Sequence, residues 1–263
     1  MTVSAFDPLA PGAPAALVLL SSRITGMMLV APVFSSRAVP MKVRTAVVLL
    51  FTVLLHPVAM AAAPAAPVLT LAGVLGDALA GLAVGMGAAV LVGGAEVAGE
   101  LISIHSGLSG AALLDPLTRN SVPVLGQLSN LFAVSLLLAT DGHLAMVRAL
   151  SESLEMFPVG TGGDPRAAAA ALVSMGGSVF VVGMQFAGPV VAAVLVANVA
   201  IAMLGRVAPS LNVLSVAFPV QIAVGLFTLS AALPYAAPLF AGNVGSYAES
   251  VVRVLGALGG GGR

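Results

Sequence analysis

Residues 107–126, GLSGAALLDPLTRNSVPVLG, interrupt a chain that is otherwise almost continuous apolar, helix-forming sequence. Asp115-Pro116, Arg119-Asn120 and Pro123 follow one another within a few positions, and proline breaks or ends a helix. Inside a membrane, non-helical backbone persists only where it is buried in protein or lines an aqueous path. We therefore predict that this segment is the working part of the molecule.

The rest of the chain has the composition of a membrane protein. It is 59% hydrophobic and 8% charged, with a mean hydropathy of +1.12, whereas an ordinary soluble domain is about one-quarter charged. About 18 consecutive apolar residues suffice to suggest a bilayer crossing. The runs without Asp, Glu, Lys or Arg that approach or exceed this length are residues 45–76, 78–95, 120–140, 167–205 and 207–248.

Charge and motif content exclude several classes of function. The formal net charge is zero, so the chain lacks the basic field that nucleic acid requires, and it contains no Cys for disulfides or thiolate metal sites. Phosphate-loop, EF-hand and zinc signatures are absent from the sequence. Ser135, Asp141 and His143 do not form a hydrolytic triad, because no Gly-x-Ser-x-Gly elbow surrounds any serine. We predict a protein that is not an enzyme and that holds no cofactor or metal.

Small residues recur at helical spacing in the apolar run of residues 78–95. Gly81, Gly85, Ala89 and Gly93 follow one another every four positions, which makes a smooth helix face against which another backbone packs closely. The chain has no Trp and two Tyr, so the aromatic belt that usually anchors lipid-facing helices is thin. We infer helices that mostly face other protein, as in a large assembly.

Seven helices are predicted along the chain. The first ends before Pro32, because the residue that precedes a proline is pushed out of the helical region. Asp164-Pro165 suits a helix start, with Asp as the cap and Pro at the first helical position. A turn-like stretch, residues 205–213, joins two long apolar helices into a hairpin. The predicted helices span about residues 15–29, 41–60, 69–106, 123–155, 166–206, 213–239 and 244–258.

A few polar residues lie within or beside these apolar helices. Glu96 and Glu100 share one helical face, with His105 a little over one turn beyond, and ionisable groups inside a membrane are functional candidates. A metal site normally draws ligands from two or more segments, and no partner motif is present. We therefore expect these residues to meet partners across a helix interface or to lie in water at the helix end. Asp141 and His143 form a charged break inside a long helix pair, which we expect to hydrogen-bond to a neighbouring subunit.

The order of these interruptions resembles the FliR family of flagellar export-gate proteins, whose virulence-secretion counterparts are called SctT. Each motif is weak alone, but their order and spacing are specific and cover nearly the whole chain. The motifs are Arg23-x-x-Gly26 with Ala31-Pro32-Val33-Phe34, Pro40-Met41-Lys42-Val43-Arg44, Ala98-Gly99-Glu100-Leu101-Ile102, Gly107-Leu108-Ser109, Asp115-Pro116, Pro123-Val124-Leu125-Gly126-Gln127, Gly142-His143, Phe157-Pro158-Val159-Gly160 and Arg206-Val207-Ala208-Pro209-Ser210-Leu211-Asn212-Val213.

The resemblance implies an all-α integral membrane protein of long helical hairpins, located in the bacterial inner membrane at the flagellar basal body. Residues 1–160 would be FliP-like and residues 165–258 a FliQ-like hairpin with a terminal helix. The implied function is that of a pore-forming subunit of the type III export gate, required for export of flagellar proteins and for flagellum assembly. The implied partners are FliP-like, FliQ-like, FlhB-like and FlhA-like proteins and unfolded export substrates.

By the same resemblance, residues of about 106–122 form a loop that plugs the channel at rest. Its central residues here are small, whereas many family members carry bulkier ones. The implied gate residues are Gly107, Leu108, Ser109, Gly110, Ala111, Ala112, Leu113, Leu114, Asp115 and Pro116. The polar residues predicted to contact other subunits are Glu96, Glu100, His105, Asp141, His143, Arg206 and Asn212.

Two alternatives remain open from the sequence. One keeps the family and makes the chain a virulence-type SctT subunit. The other is a multi-pass secondary transporter that uses Glu96, Glu100 and His105 as its coupling site. Such a transporter would show broken helices at matching positions of two related halves, and the sequence lacks that symmetry.

Overall fold

The computed structural model describes residues 10–36, 39–108, 124–208 and 213–259, with the side chains of residues 213–214 and 244–248 left aside. All regular secondary structure in these ranges is helical, which confirms the predicted all-α fold. The helices are α1 (Ala13–Val30), α2 (Pro32–Ser35), α3 (Met41–Ala62), α4 (Leu71–His105), α5 (Val124–Ala139), α6 (Gly142–Met156), α7 (Pro165–Val207) and α8 (Val213–Gly259).

The described helices include five that are long and apolar enough to cross a membrane. They are α1, α3, α4, α7 and the Ser215–Asn243 part of α8, and a sixth crossing results if the broken pair α5 and α6 acts as one. The predicted membrane class is therefore confirmed.

The chain divides into two compact units. Unit 1 draws on Met1–Val90, Leu137–Gly177 and Asn243–Arg263, and unit 2 on Leu91–Leu136 and Ser178–Gly242. Each unit is described by itself.

Local sequence signals determine several helix ends. Ala31, which follows α1, has φ −59° and ψ 121°, as its position before Pro32 requires. Thr70 caps α4, since its Oγ1 accepts a hydrogen bond from the Gly73 N–H at 3.0 Å. Asp164 caps α7, and its Oδ1 accepts from the Arg166 N–H at 2.9 Å. The predicted end before Pro32 and the predicted Asp164-Pro165 start are both confirmed.

In unit 1, glycines bring α1 and α4 together backbone against backbone. A Cβ added to Gly81 would lie 1.7 Å from the Arg23 carbonyl oxygen, and one added to Gly85 would lie 2.4 Å from that of Met27. On the α1 side, a Cβ on Gly26 would lie 2.2 Å from the Ala78 carbonyl oxygen. The small-residue face predicted on this helix therefore packs closely on a second helix, here one of the same chain.

In unit 2, α7 and α8 form the predicted hairpin. Gln221 of α8 donates from Nε2 to Oδ1 of Asn198 in α7 at 2.6 Å. One turn further along, Gly225 faces Val194, with 3.7 Å between a Cβ on the glycine and Val194 Cγ2. Residue numbers rise in one helix as they fall in the other, so the helices are antiparallel. The buried core of this unit contains Ala187, Val190 and Val194 of α7. Helix α4 contributes Ala98 and Ile102 to the same core.

Two predicted helix boundaries are wrong. The single helix expected over residues 123–155 is two helices, separated at Thr140 and Asp141, where the charged break was predicted and where Asp141 has φ 57°. The expected end at residue 239 does not occur, because α8 continues to Gly259 through Gly242. A glycine inside a helix costs only about 1 kcal/mol, whereas each main-chain group left unbonded in an apolar setting costs several.

Candidate functional site

The described part of the predicted gate segment begins at a glycine-terminated helix end. The Ser106 N–H donates to the Ile102 carbonyl at 2.9 Å, and the Gly107 N–H donates to that of Ile104 at 3.2 Å. Gly107 has φ 73°, a left-handed conformation that closes helix C-termini and favours glycine. The chain therefore leaves the direction of α4 at Gly107.

Helix α8 packs against this exit point within unit 2. A Cβ on Gly107 would lie 3.0 Å from Phe218 Cδ1 and 3.1 Å from Gln221 Oε1. Ser106 is 1% exposed, and a Cβ on Gly225 would lie 2.3 Å from its Oγ. Only glycine at position 225 leaves room for this serine.

The contact extends to α7, because Gln221 is also hydrogen-bonded to Asn198. We call the set of Ser106, Gly107, Asn198, Gln221 and Gly225 the anchor. It fixes the start of the predicted gate segment on the α7–α8 hairpin. Of that segment, Gly107 and Leu108 are described, whereas Ser109, Gly110, Ala111, Ala112, Leu113, Leu114, Asp115 and Pro116 lie outside the described residues.

Glu96 of α4 lies on the side that faces α5. Asn130 donates from Nδ2 to Glu96 Oε2 at 2.8 Å, and both side chains are half-buried. One turn from Glu96, a Cβ on Gly99 would lie 2.5 Å from the Leu125 carbonyl oxygen, so the two helices nearly touch. No ion pair to Glu96 or Glu100 forms among the residues that the structure describes. Among the described residues, a neutral amide is therefore the partner of Glu96.

The remaining predicted polar residues belong to separate places. His105 contacts the Leu101 carbonyl through Nδ1 at 2.8 Å, and Arg206 is exposed in the last turn of α7. In unit 1, Asp141 is exposed at the break and His143 is half-buried. Asn212 lies outside the described residues. Within the described ranges, no group of three His, Asp or Glu side chains is placed to bind a metal.

A buried ion pair in unit 1 escaped the sequence analysis. Arg23 of α1 and Asp77 of α4 are both 0% exposed. The guanidinium donates to Asp77 Oδ1 from Nε at 2.8 Å and also from Nη2. The other carboxylate oxygen, Oδ2, accepts from the Gly160 N–H at 3.0 Å.

The same guanidinium caps the end of α6. Nη1 donates to the Ser153 carbonyl at 3.0 Å and to its Oγ at 3.2 Å, and Nη2 donates to the Phe157 carbonyl at 2.7 Å. Its Cζ also lies 5.5 Å from the centroid of the Phe157 ring. Because Arg23 joins α1, α4 and the end of α6, and its partner Asp77 adds the turn at Gly160, the role of the pair is to hold these elements together. The available sequence signal was the lone charge Arg23 in α1 and the carboxylate Asp77 in the first, otherwise uncharged part of α4.

The amino-acid sequence of the chain matches a known family of proteins. Residues 15–246 match the family described as bacterial export proteins, family 1. The chain is 33% identical over 219 residues to the flagellar biosynthetic protein FliR of Pectobacterium carotovorum subsp. carotovorum, which covers 82% of this chain and 83% of that protein. It is 30% identical to FliR of Escherichia coli (strain K12), over 82% of this chain and 83% of the relative. It is also 30% identical to FliR of Caulobacter vibrioides, over 82% and 87%.

Proposed function

The chain belongs to the FliR family, bacterial export proteins family 1, and from this membership we propose that it is a pore-forming subunit of the flagellar type III protein export gate. It is a multi-pass protein of the bacterial inner membrane and a component of the flagellar export apparatus. The proposal adds that residues 106–122 close the conduit at rest and that unfolded flagellar proteins pass when these residues move aside.

The anchor is the observation that carries the gate assignment. A segment that must leave and return to one position needs a fixed base, and Gly107 is held by Phe218 and Gln221 at the point where α4 ends. Beyond this base the small residues Gly110, Ala111 and Ala112 would let the segment bend. A closed state favoured by a few kcal/mol suffices to keep the open state at the percent level or lower.

The division of the chain into parts is proposed on the same basis. The antiparallel α7–α8 hairpin supports a FliQ-like part at residues 165–258, and residues 1–160 form the FliP-like part. The partners are then FliP-like and FliQ-like subunits, together with FlhB-like and FlhA-like export proteins. The matched relatives named above are flagellar proteins, which favours the flagellar system over the virulence type.

The predicted polar contacts to other subunits remain part of the proposal. Glu96 supports it most directly, because its only described partner is the neutral Asn130 amide. A carboxylate at an apolar helix surface is stabilised when a neighbour supplies a cation or further donors. Glu100 and the exposed Asp141 offer further carboxylates, and the exposed Arg206 offers a cation.

The test of the gate is deletion of residues 110–114, from Gly110 to Leu114, in cells that assemble the export apparatus. We expect the complex to assemble at its normal level and the membrane to leak ions or small solutes. Assembly is measured by co-purification of the export proteins in mild detergent, and the leak by membrane conductance. A complex that is intact and no more permeable than the parent would refute the gate assignment.

A further inference from the structure

The chain passes between its two compact units four times, and two of these passages fall on glycines inside long helices. One segment of unit 1 ends at Gly177 within α7, and one segment of unit 2 ends at Gly242 within α8. A third passage, at residues 136–137, lies just before the break at Asp141, where α5 gives way to α6. The fourth, at residues 90–91, lies inside the uninterrupted helix α4. Three of the four passages therefore lie at or beside a point where a helix is broken or contains a glycine.

Close packing does not explain the glycines at two of these passages. A Cβ added to Gly177 or Gly242 would meet no described atom within 4 Å, whereas one added to Gly81 or Gly85 would meet the backbone of a neighbouring helix. Glycine also has the weakest helix propensity after proline, because it loses the most conformational freedom when it joins a helix. What Gly177 and Gly242 give their helices is therefore backbone freedom at the point of passage.

Neighbouring residues weaken the same two points of α7 and α8. In α7, residues 176–178 read Gly-Gly-Ser, and Gly/Ser pairs are among the usual sites of helix kinks. In α8, Pro234, Pro238 and Gly242 follow one another every four positions. Each of these prolines lacks the N–H that would bond the carbonyl four residues earlier, so the hydrogen bonding of α8 is already thinned where Gly242 follows. Each helix thus has a local weak point at the residue where it changes units.

We propose that α7 bends at Gly177 and α8 at residues 234–242, and that the two bends form a hinge on which the units move when the export gate opens. A hinge of this kind consists of a few residues that absorb the change in backbone angles, while the helices on either side stay rigid. The break at Asp141 gives the α5–α6 passage the same freedom. Helix α4 is continuous across its own passage, so it is the pivot of the movement. The bending is a property of the chain, whereas its link to opening rests on the proposed function.

Alanine substitution tests the hinge, because it stiffens a helix without a steric clash. In Gly177→Ala combined with Gly242→Ala, both methyl groups enter open space, so heat resistance and assembly of the complex should stay at or above the parental level. Export of flagellar proteins into the medium should fall at least fivefold, with no rise in resting membrane conductance. Gly188→Ala combined with Gly256→Ala makes the same chemical change in open space in the same two helices, but away from the passages. Export by this control variant should remain at the parental rate.

Returning a glycine to each passage separates flexibility from any other effect of the added methyl groups. Ser174→Gly and Ala241→Gly, added to the Gly177→Ala and Gly242→Ala variant, should restore export to at least half of the parental rate. A loss caused by instability would instead deepen, because each new glycine lowers helix propensity further.

Hydrogen–deuterium exchange of the purified complex gives a readout that does not depend on export. Amide hydrogens exchange when their helix opens locally, so the exchange rate reports the weak points of α7 and α8. Peptides that contain Gly177 or Gly242 should exchange at least tenfold faster than the peptide that contains Gly188. The Gly177→Ala and Gly242→Ala variant should remove this difference.

Equal export by the two double alanine variants, no rescue by the returned glycines, or uniform exchange along α7 and α8 would each overturn the hinge. The gate assignment stands or falls separately. A gate segment that fails its conductance test, while the exchange difference appears and is lost in the double alanine variant, would refute the gate assignment and leave the hinge standing.

Discussion

Arg23 and Asp77, 54 positions apart in the sequence, form a fully buried ion pair. Arg23 of this pair also donates hydrogen bonds to the end of a third helix, α6. The five N–H groups of a guanidinium find acceptors here on Asp77, Ser153 and Phe157. A buried charge is tolerated only when such bonds replace its lost hydration. The pair is therefore sensitive to the loss of either member.

Removal of the carboxylate should destabilise unit 1 strongly. Asp77→Leu leaves the Arg23 charge buried without its counter-ion, and breaking a buried pair in this way costs about 3–5 kcal/mol. We expect a large fall in the heat resistance of the detergent-solubilised protein and in its level in the membrane. The measurement is the fraction of chain that remains soluble after graded heating.

The doubly substituted protein separates the ion pair from packing in general. Arg23→Leu combined with Asp77→Leu removes both charges, so its stability should exceed that of Asp77→Leu alone. Glu249→Gln changes an exposed carboxylate and should have no measurable effect. A double variant as unstable as the sum of the two single variants would show that the two charges are not coupled.

Close backbone packing makes Gly81 irreplaceable even by alanine. The added Cβ would lie 1.7 Å from the Arg23 carbonyl oxygen, which belongs to a backbone that cannot move aside without shifting α1. Overpacking of this kind costs about 1–3 kcal/mol. Gly177→Ala is the control, because nothing lies within 4 Å of its added Cβ and alanine favours a helix by about 1 kcal/mol. Thermal stability should fall for Gly81→Ala and stay level or rise for Gly177→Ala, and equal behaviour of the two would contradict the close packing.

Neutralising Glu96 separates its contact within the chain from its predicted contact outside. In Glu96→Gln, the new side chain still offers a carbonyl oxygen to the Asn130 amide, so the stability of the chain should change little. If a neighbouring subunit supplies a cation, the loss of charge should lower co-purification of that subunit several-fold. Asn130→Leu is the complementary variant, which leaves the charge in place and removes the described bond. Unchanged co-purification with Glu96→Gln would indicate that the charge serves no partner.

Helix ends set by neighbouring residues are the features that the sequence predicted best. The end of α1 before Pro32 and the cap at Asp164 depend on two or three neighbouring residues, and both were predicted. The close contact at Gly81 was foreseen as a surface, because small residues at a spacing of four form one face. Its partner was not foreseen, since spacing on one helix does not identify the helix opposite.

Long-range pairing is what the sequence concealed. Arg23 and Asp77 lie in different apolar helices, and no periodicity links two such positions. The continuity of α8 was missed for a different reason. The break expected between residues 239 and 244 does not occur, because in an apolar environment the main-chain hydrogen bonds of the helix outweigh the weak helix propensity of Gly242. The anchor could not be predicted either, because Ser106 and Gly225 are far apart in the sequence and come into contact only in the folded hairpin.

Gly225→Ala should displace the start of the gate segment, at residues 106 and 107, without changing the sequence of the segment. The added Cβ would lie 2.3 Å from Ser106 Oγ, so Ser106 and the left-handed Gly107 beside it must shift. If residues 106–122 close the conduit, this shift should raise resting membrane conductance while the complex still assembles. Gly242→Ala in the same helix is the matched control, because its added Cβ meets nothing within 4 Å and conductance should stay at the parental level. An assembled Gly225→Ala complex that conducts no more than the Gly242→Ala complex would show that the anchor does not govern closure.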